Sequence, residues 1–116
     1  MIKGFILINA KNELKTKLSR IGKTENDVVA FKIIYSPGLR INSDSVVEIS
    51  GKGPLTDEVW KSLDFEYEDG YGTQHLFGLI LFNDNSWLER SEYDGSEWWE
   101  YKKTPTIEEI LNFKGN

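Results

Sequence analysis

The chain has no cysteine and a single histidine in 116 residues. Without cysteine it can build neither a disulfide framework nor a thiolate metal site, which fits a reducing compartment. One histidine, His75, rules out a histidine cage for a metal and any histidine pair. Long apolar runs are missing too. In "MIKGFILINAKNELK" the run Phe5 to Ile8 is too short for a signal-peptide core or a membrane span, so a cytoplasmic protein without membrane contact is expected. There is no glycine-rich phosphate loop and no nucleophile elbow, and "GYG" at 70–72 is turn chemistry alone. No internal repeat, low-complexity tract or linker interrupts the chain.

What is present describes one domain, residues 1–116. Hydrophobic residues make up 39% and charged residues 28%, the balance of a globular chain. The length allows one core and not two. The net charge of −5 is unevenly spread: residues 1–50 carry eight Lys/Arg and five Asp/Glu, whereas residues 51–116 carry six and fourteen. An acidic half argues against direct nucleic-acid binding, which depends on clustered cations. It is either a solubilising surface or a face that meets a basic partner.

Local patterns predict an α+β fold with a mainly antiparallel sheet of five or six strands and two or three short helices. "GFILINA" reads as a buried strand and "DVVAFKIIYS" as another, closed by the Pro37-Gly38 turn. "LRINSDSVVEIS" reads as one strand or two short ones. "NELKTKLSRIG" sets Leu14, Leu18 and Ile21 at helical spacing and stops at Gly22. Thr56 caps a short helix over 57–63, and Thr104 or Thr106 caps a last one with Ile107, Ile110 and Leu111 as its apolar stripe. "EYEDGYG" carries turn chemistry and too many acids for a core element.

Residues 76–103 predict a three-stranded antiparallel meander. "HLFGLILF" is almost wholly apolar and should be a central strand covered on both faces. The loops Asn83-Asp84-Asn85 and Tyr93-Asp94-Gly95 each end on a residue tolerant of left-handed backbone. The first sets Leu81 beside Trp87 and Leu79 beside Glu89. For the second, a two-residue Asp94-Gly95 turn would oppose Glu92 to Glu97 and Glu89 to Glu100, at roughly 0.2–1 kcal/mol each. A three-residue loop removes both clashes, pairs Ser91 with Glu97 and Arg90 with Trp98, and lays the guanidinium across that ring. This register is the expected one. It places Trp99 with Trp87, Leu79, Leu81 and Tyr101 as the packed tryptophan. Trp98, beside Arg90 and the gap at Gly78, is then the accessible one.

Few residues point to chemistry. His75 lies near Asp64, Glu66 and Asp69 in sequence, and a carboxylate–imidazole pair could act as a general base. A lone histidine at the start of a buried strand is more often structural. Neither "DFEYEDGYG" nor "FNDNS" has the spacing of a calcium loop, so no metal and no cofactor is expected. The ten residues "EYDGSEWWEY" hold four acids and four aromatics. Aromatics and arginine serve as hot spots in protein contacts, with acids as a polar rim. The expected partner-binding set is Arg90, Glu92, Tyr93, Asp94, Glu97, Trp98 and Glu100. The competing reading is a Trp-rich sheet face covered by the chain's own helices.

The run "LFNDNSWLERSEYDGSEWWEY" resembles short uncharacterised proteins of tailed bacteriophages, over residues 80–101. Asn85 stands where those proteins are expected to have a glycine after the turn aspartate. The resemblance transfers no functional residues. It implies a phage accessory protein in the bacterial cytoplasm, of a kind that binds and blocks a host protein. The expectation is therefore a non-enzymatic protein that inhibits a host factor with a basic surface, such as a defence nuclease, with a homodimer left open. Alternatives are a protein that sequesters a nucleotide-like small molecule using Arg90 or Arg40, an immunity protein that neutralises a toxin, and, third, a small hydrolase centred on His75.

Overall fold

The computed structural model describes residues 6–36, 46–69 and 73–115. The Pro37-Gly38 turn, Arg40, the first half of "LRINSDSVVEIS" and "GYG" at 70–72 lie outside the described residues. β1 (Ile6–Asn9) runs directly into α1 (Ala10–Ile21). Asn9 makes that switch: its side-chain oxygen accepts the Asn12 N–H at 3.0 Å, and its amide donates to Asp64 at 3.0 Å. Ala10, Leu14 and Leu18, four residues apart, form the buried stripe of α1. Gly22, at φ 75°, closes the helix in the left-handed region.

A single 3-10 turn leads into β2 (Val28–Tyr35), followed by β3 (Val47–Lys52), α2 (Asp57–Ser62) and β4 (Glu66–Asp69). The second half of the chain is β5 (Leu76–Phe82), β6 (Trp87–Tyr93), β7 (Ser96–Lys102) and α3 (Ile107–Leu111). Every strand pairing among the described residues is antiparallel. The strands form a five-stranded sheet in the order β3-β2-β5-β6-β7 and a two-stranded sheet of β1 and β4. The α+β class, the helices and the 76–103 meander are therefore as the sequence pattern predicts.

Besides the burial expected of β1, where Leu7 is 56% exposed and Ile8 and Asn9 are half-buried, three local expectations need correction. The acidic "EYED" is a strand and not a turn. Its alternation turns Tyr67 into the core, while the carboxylates of Glu66 and Glu68 flank it. β5 is central but covered on one face only. Leu76, Ile80 and Phe82 are buried, whereas Phe77, Leu79 and Leu81 are 36%, 56% and 39% exposed. The third correction is the β6–β7 register.

That hairpin turns on two residues. Asp94 (φ 53°) and Gly95 (φ 90°) both adopt positive φ, the pattern of a type I′ turn, for which Asp-Gly is a preferred pair. Trp99 consequently faces Arg90, Trp98 faces Ser91, Glu97 faces Glu92 and Glu100 faces Glu89. The opposed carboxylates are tolerated because each has its own partner. Glu92 accepts the Gly95 N–H, Glu100 accepts the Ser91 hydroxyl, and Glu89 binds Lys102 and the Trp87 indole. Turn geometry outweighs a like-charge cost that such partners reduce.

The first loop behaves as predicted. Leu79 faces Glu89 and Leu81 faces Trp87, and Asn85 takes the left-handed position at φ 69°. Asp84 in that loop binds Lys23 and Ser86, and these bonds hold its carboxyl well below the usual aspartate range.

Trp99 is the packed tryptophan, 3% exposed, and Trp98 the accessible one, at 39%. The covered neighbours of Trp99 differ from those expected: its ring lies on Gly78. A Cβ at Gly78 would come within 3.1 Å of Trp99 Cη2 and 2.7 Å of the Lys32 carbonyl oxygen. Gly78→Ala should therefore destabilise by about 1–3 kcal/mol, as overpacked cores do, in urea unfolding. An unchanged midpoint would mean that β5 and the Trp99 ring have slack that these distances deny.

Candidate functional site

The covered face of the large sheet contains a charge cluster. Arg90 projects from β6 with its side chain 1% exposed, and the Glu97 side chain, on β7, is 0% exposed. The two lie diagonally across the strand pair, within reach for long side chains. Arg90 Nη2 donates to Glu97 Oε1 at 2.6 Å and to the Tyr67 hydroxyl at 3.0 Å, and Nη1 donates to Glu13 Oε2 at 3.0 Å. The Tyr67 hydroxyl in turn donates to Glu13 at 2.5 Å. Glu97 also accepts the backbone N–H groups of His75 and Leu76, at 2.7 and 3.0 Å. One guanidinium thus links α1, β4, β6 and β7, and its carboxylate partner fastens the start of β5.

The electrostatics follow from burial and pairing. Burial works against the Arg90 charge, and Glu13, Tyr67 and Glu97 more than offset it, so its pKa is raised. Burial likewise pushes the Tyr67 phenol far above its usual range, against the pull of Arg90. Arg90 therefore stays charged and Tyr67 stays a neutral donor. The guanidinium also lies over the rings of Trp99 and Tyr67, with its central carbon 5.1 and 5.7 Å from their centroids.

This arrangement divides the residues that the sequence grouped together. Arg90 and Glu97 are interior and do not belong to an exposed contact surface, and Arg90 stacks on Trp99 rather than Trp98. Tyr93, Trp98 and Glu100 share the opposite, open face of the sheet. Asp94 sits in the turn, and Glu92 is exposed beside it. Sequence reasoning missed Glu13 and Tyr67, which are 77 and 23 residues from Arg90 and have no local signal linking them to it. It also missed the open face around Leu79, because an apolar residue at nearly every position of β5 reads as a strand covered on both sides.

His75 is buried, and its Nδ1 is 3.0 Å from the Ser36 carbonyl oxygen, where a ring N–H donates. Glu97 bonds its backbone rather than its ring. Among the described residues no cluster of three or more His, Asp or Glu could hold a metal ion, and no helix is long and apolar enough to cross a membrane. A cleft of about 590 Å³ opens beside the charge cluster, between Trp98 and Trp99 of β7 and the Asn12, Thr16, Lys17 and Arg20 side of α1. Its cations come from α1. Arg90 lies in the interior, and Arg40 is outside the described residues.

Two mutational outcomes follow. Arg90→Ala takes a guanidinium away from the buried Glu97 carboxylate and should cost about 3–5 kcal/mol. Glu97→Gln, which keeps an oxygen for the backbone N–H groups, should cost clearly less in the same urea titration. A loss under about 1 kcal/mol for Arg90→Ala would show that the cluster is not a structural anchor. For the tryptophans, Trp99→Ala should cost about 3–5 kcal/mol and Trp98→Ala about 1 kcal/mol or less. Thermal melts of the two variants in the reverse order would contradict the observed faces. No family model, no curated protein and no solved structure matches this chain.

Proposed function

We propose that this is a non-enzymatic binding protein that contacts another protein through the β6–β7 hairpin. The observation that carries the reading is the exposure of two large aromatics there: Tyr93 is 76% and Trp98 39% exposed. Exposed carboxylates lie close by: Glu100 shares their face, Asp94 sits in the turn and Glu92 is exposed beside it. Aromatic anchors within a polar rim are the usual composition of a protein contact, and acids in that rim select a basic partner surface. Arg90 and Glu97 act from beneath, as the fixed base of the hairpin. The resemblance of residues 80–101 to phage proteins makes a bacterial host protein the partner, and inhibition of a host factor, for instance a defence protein, the role.

Capture from a bacterial lysate at moderate salt tests the proposal. The wild-type chain should retain a specific protein. The double variant Tyr93→Ala/Trp98→Ala, which keeps the core intact, should reduce its recovery at least tenfold. Retention of nothing by the wild-type chain, or of the same protein equally by both, would sink the hairpin as the contact site.

A further inference from the structure

Two apolar surfaces of this chain have no cover among the described residues. One is the middle of the open sheet face, where Phe77, Leu79 and Leu81 line up along the central strand β5. The other is α3 and its end. Ile107, Ile110, Leu111 and Phe113 are 78%, 58%, 77% and 72% exposed, and none of the helix residues is buried. Single exposed apolar residues are ordinary, whereas contiguous ones mark contact sites.

α3 is built to be a helix and is too short to persist alone. A capping box at Thr106 starts it: the Thr106 hydroxyl accepts the Glu109 N–H at 3.0 Å, and Glu109 accepts the Thr106 N–H at 2.8 Å. It has five residues, and isolated helices below roughly 12–15 residues are marginal in water. Most helical stability in proteins comes from packing of an apolar stripe, and this stripe has nothing under it. The helix stands off its own sheet, although only Lys103, Thr104, Pro105 and Thr106 separate it from β7. Pro105 disfavours helical backbone at the residue before it, so the helix cannot begin closer to β7.

The geometry points to a second copy of this chain as the cover: α3 of each copy lies on the β5 face of the other, in a two-fold reciprocal exchange. Such an exchange satisfies both surfaces of both copies at once and closes without leaving a free end. The seven large apolar side chains of the two patches keep between 36% and 78% of their surface exposed, and covering both patches on both copies draws on the kind of area, roughly 800 Å² per partner, that a stable interface buries. Charge agrees with this arrangement. Lys52 shares the open side of the sheet through its pairing with Ala30, and Glu108 lies on α3; neither has an ion pair among the described residues. The inference stands apart from the hairpin reading, because it uses neither Tyr93 nor Trp98.

Light scattering on the eluting 116-residue chain tests it, with two variants. Leu79→Asp spoils the face and keeps the helix; Ile107→Asp/Leu111→Asp spoils the helix and keeps the face. The helix variant cannot unfold a domain on which α3 does not pack, and a melt matching wild type verifies that the face variant is folded. Wild type should elute with the mass of two chains and each variant with the mass of one. An equimolar mixture of the two variants should recover a dimer, weaker by at least tenfold, through the one intact helix–face contact that remains. A wild-type monomer at 100-fold dilution from millimolar stock, including one whose α3 amides are protected by folding onto its own sheet, overturns the inference. So does a dimer that survives Ile107→Asp/Leu111→Asp, or a mixture that stays monomeric.

Discussion

The ion pair between Arg90 and Glu97 is the constraint around which the structure is arranged. Two opposite charges lie in the interior with almost no exposed surface, and each is tolerable only while the other is in reach. Arg90 needs Glu97 and Glu13, and Glu97 needs Arg90 and two backbone N–H groups. Replacing such a pair with apolar residues often costs nothing, so its value lies less in total stability than in selecting one arrangement. In a register shifted by one residue, Arg90 would share its face with Trp98 while Glu97 turned to the other side. Both charges would then be stranded. The observed register is the one in which the diagonal pair can form, and the Asp94-Gly95 turn favours that same register by backbone geometry.

From this follows the layering. The Arg90 cluster ties α1 through Glu13 and β4 through Tyr67 to one face of the five-stranded sheet, so α1 and the β1–β4 pair are committed to that side. Trp99 fits beneath them because Gly78 has no side chain to compete for the space. No described element is left for the opposite face, which displays Phe77, Leu79, Leu81 and Trp98. The unusual openness of the sheet is a consequence of how its other side is held together. The exposed apolar surfaces are those that this packing leaves over.

Much of the fold was legible in local pattern. Caps and stops lie within a few residues of the element they control, so Gly22, Thr56 and Asn85 could be read directly and hold the expected places, and of Thr104 and Thr106 it is Thr106 that caps the last helix. The opposite facing of Trp98 and Trp99 was equally secure, because adjacent strand residues must alternate. The candidate site was legible in part. Glu92, Tyr93, Asp94, Trp98 and Glu100 are at the surface, whereas Arg90, expected as an exposed hot spot, and Glu97, expected in the acidic rim, are interior, where charged side chains seldom go unless paired. Their pairing requires knowing which side of β7 faces which side of β6.

The class of fold, the helices, the meander and the left-handed positions of Asn85 and Gly95 can be read locally, since they depend on hydrophobic period and backbone conformation over a few neighbouring residues. Only the packed chain shows the burial of Arg90 and Glu97, the strand character of "EYED" and the exposure of one face of β5, each of which depends on contacts between residues far apart in the chain. The β6–β7 register is a local matter, set by the Asp94-Gly95 turn against the like-charge cost that pointed to the other register. A strand with apolar residues on both sides carries no mark saying which side the rest of the protein will cover.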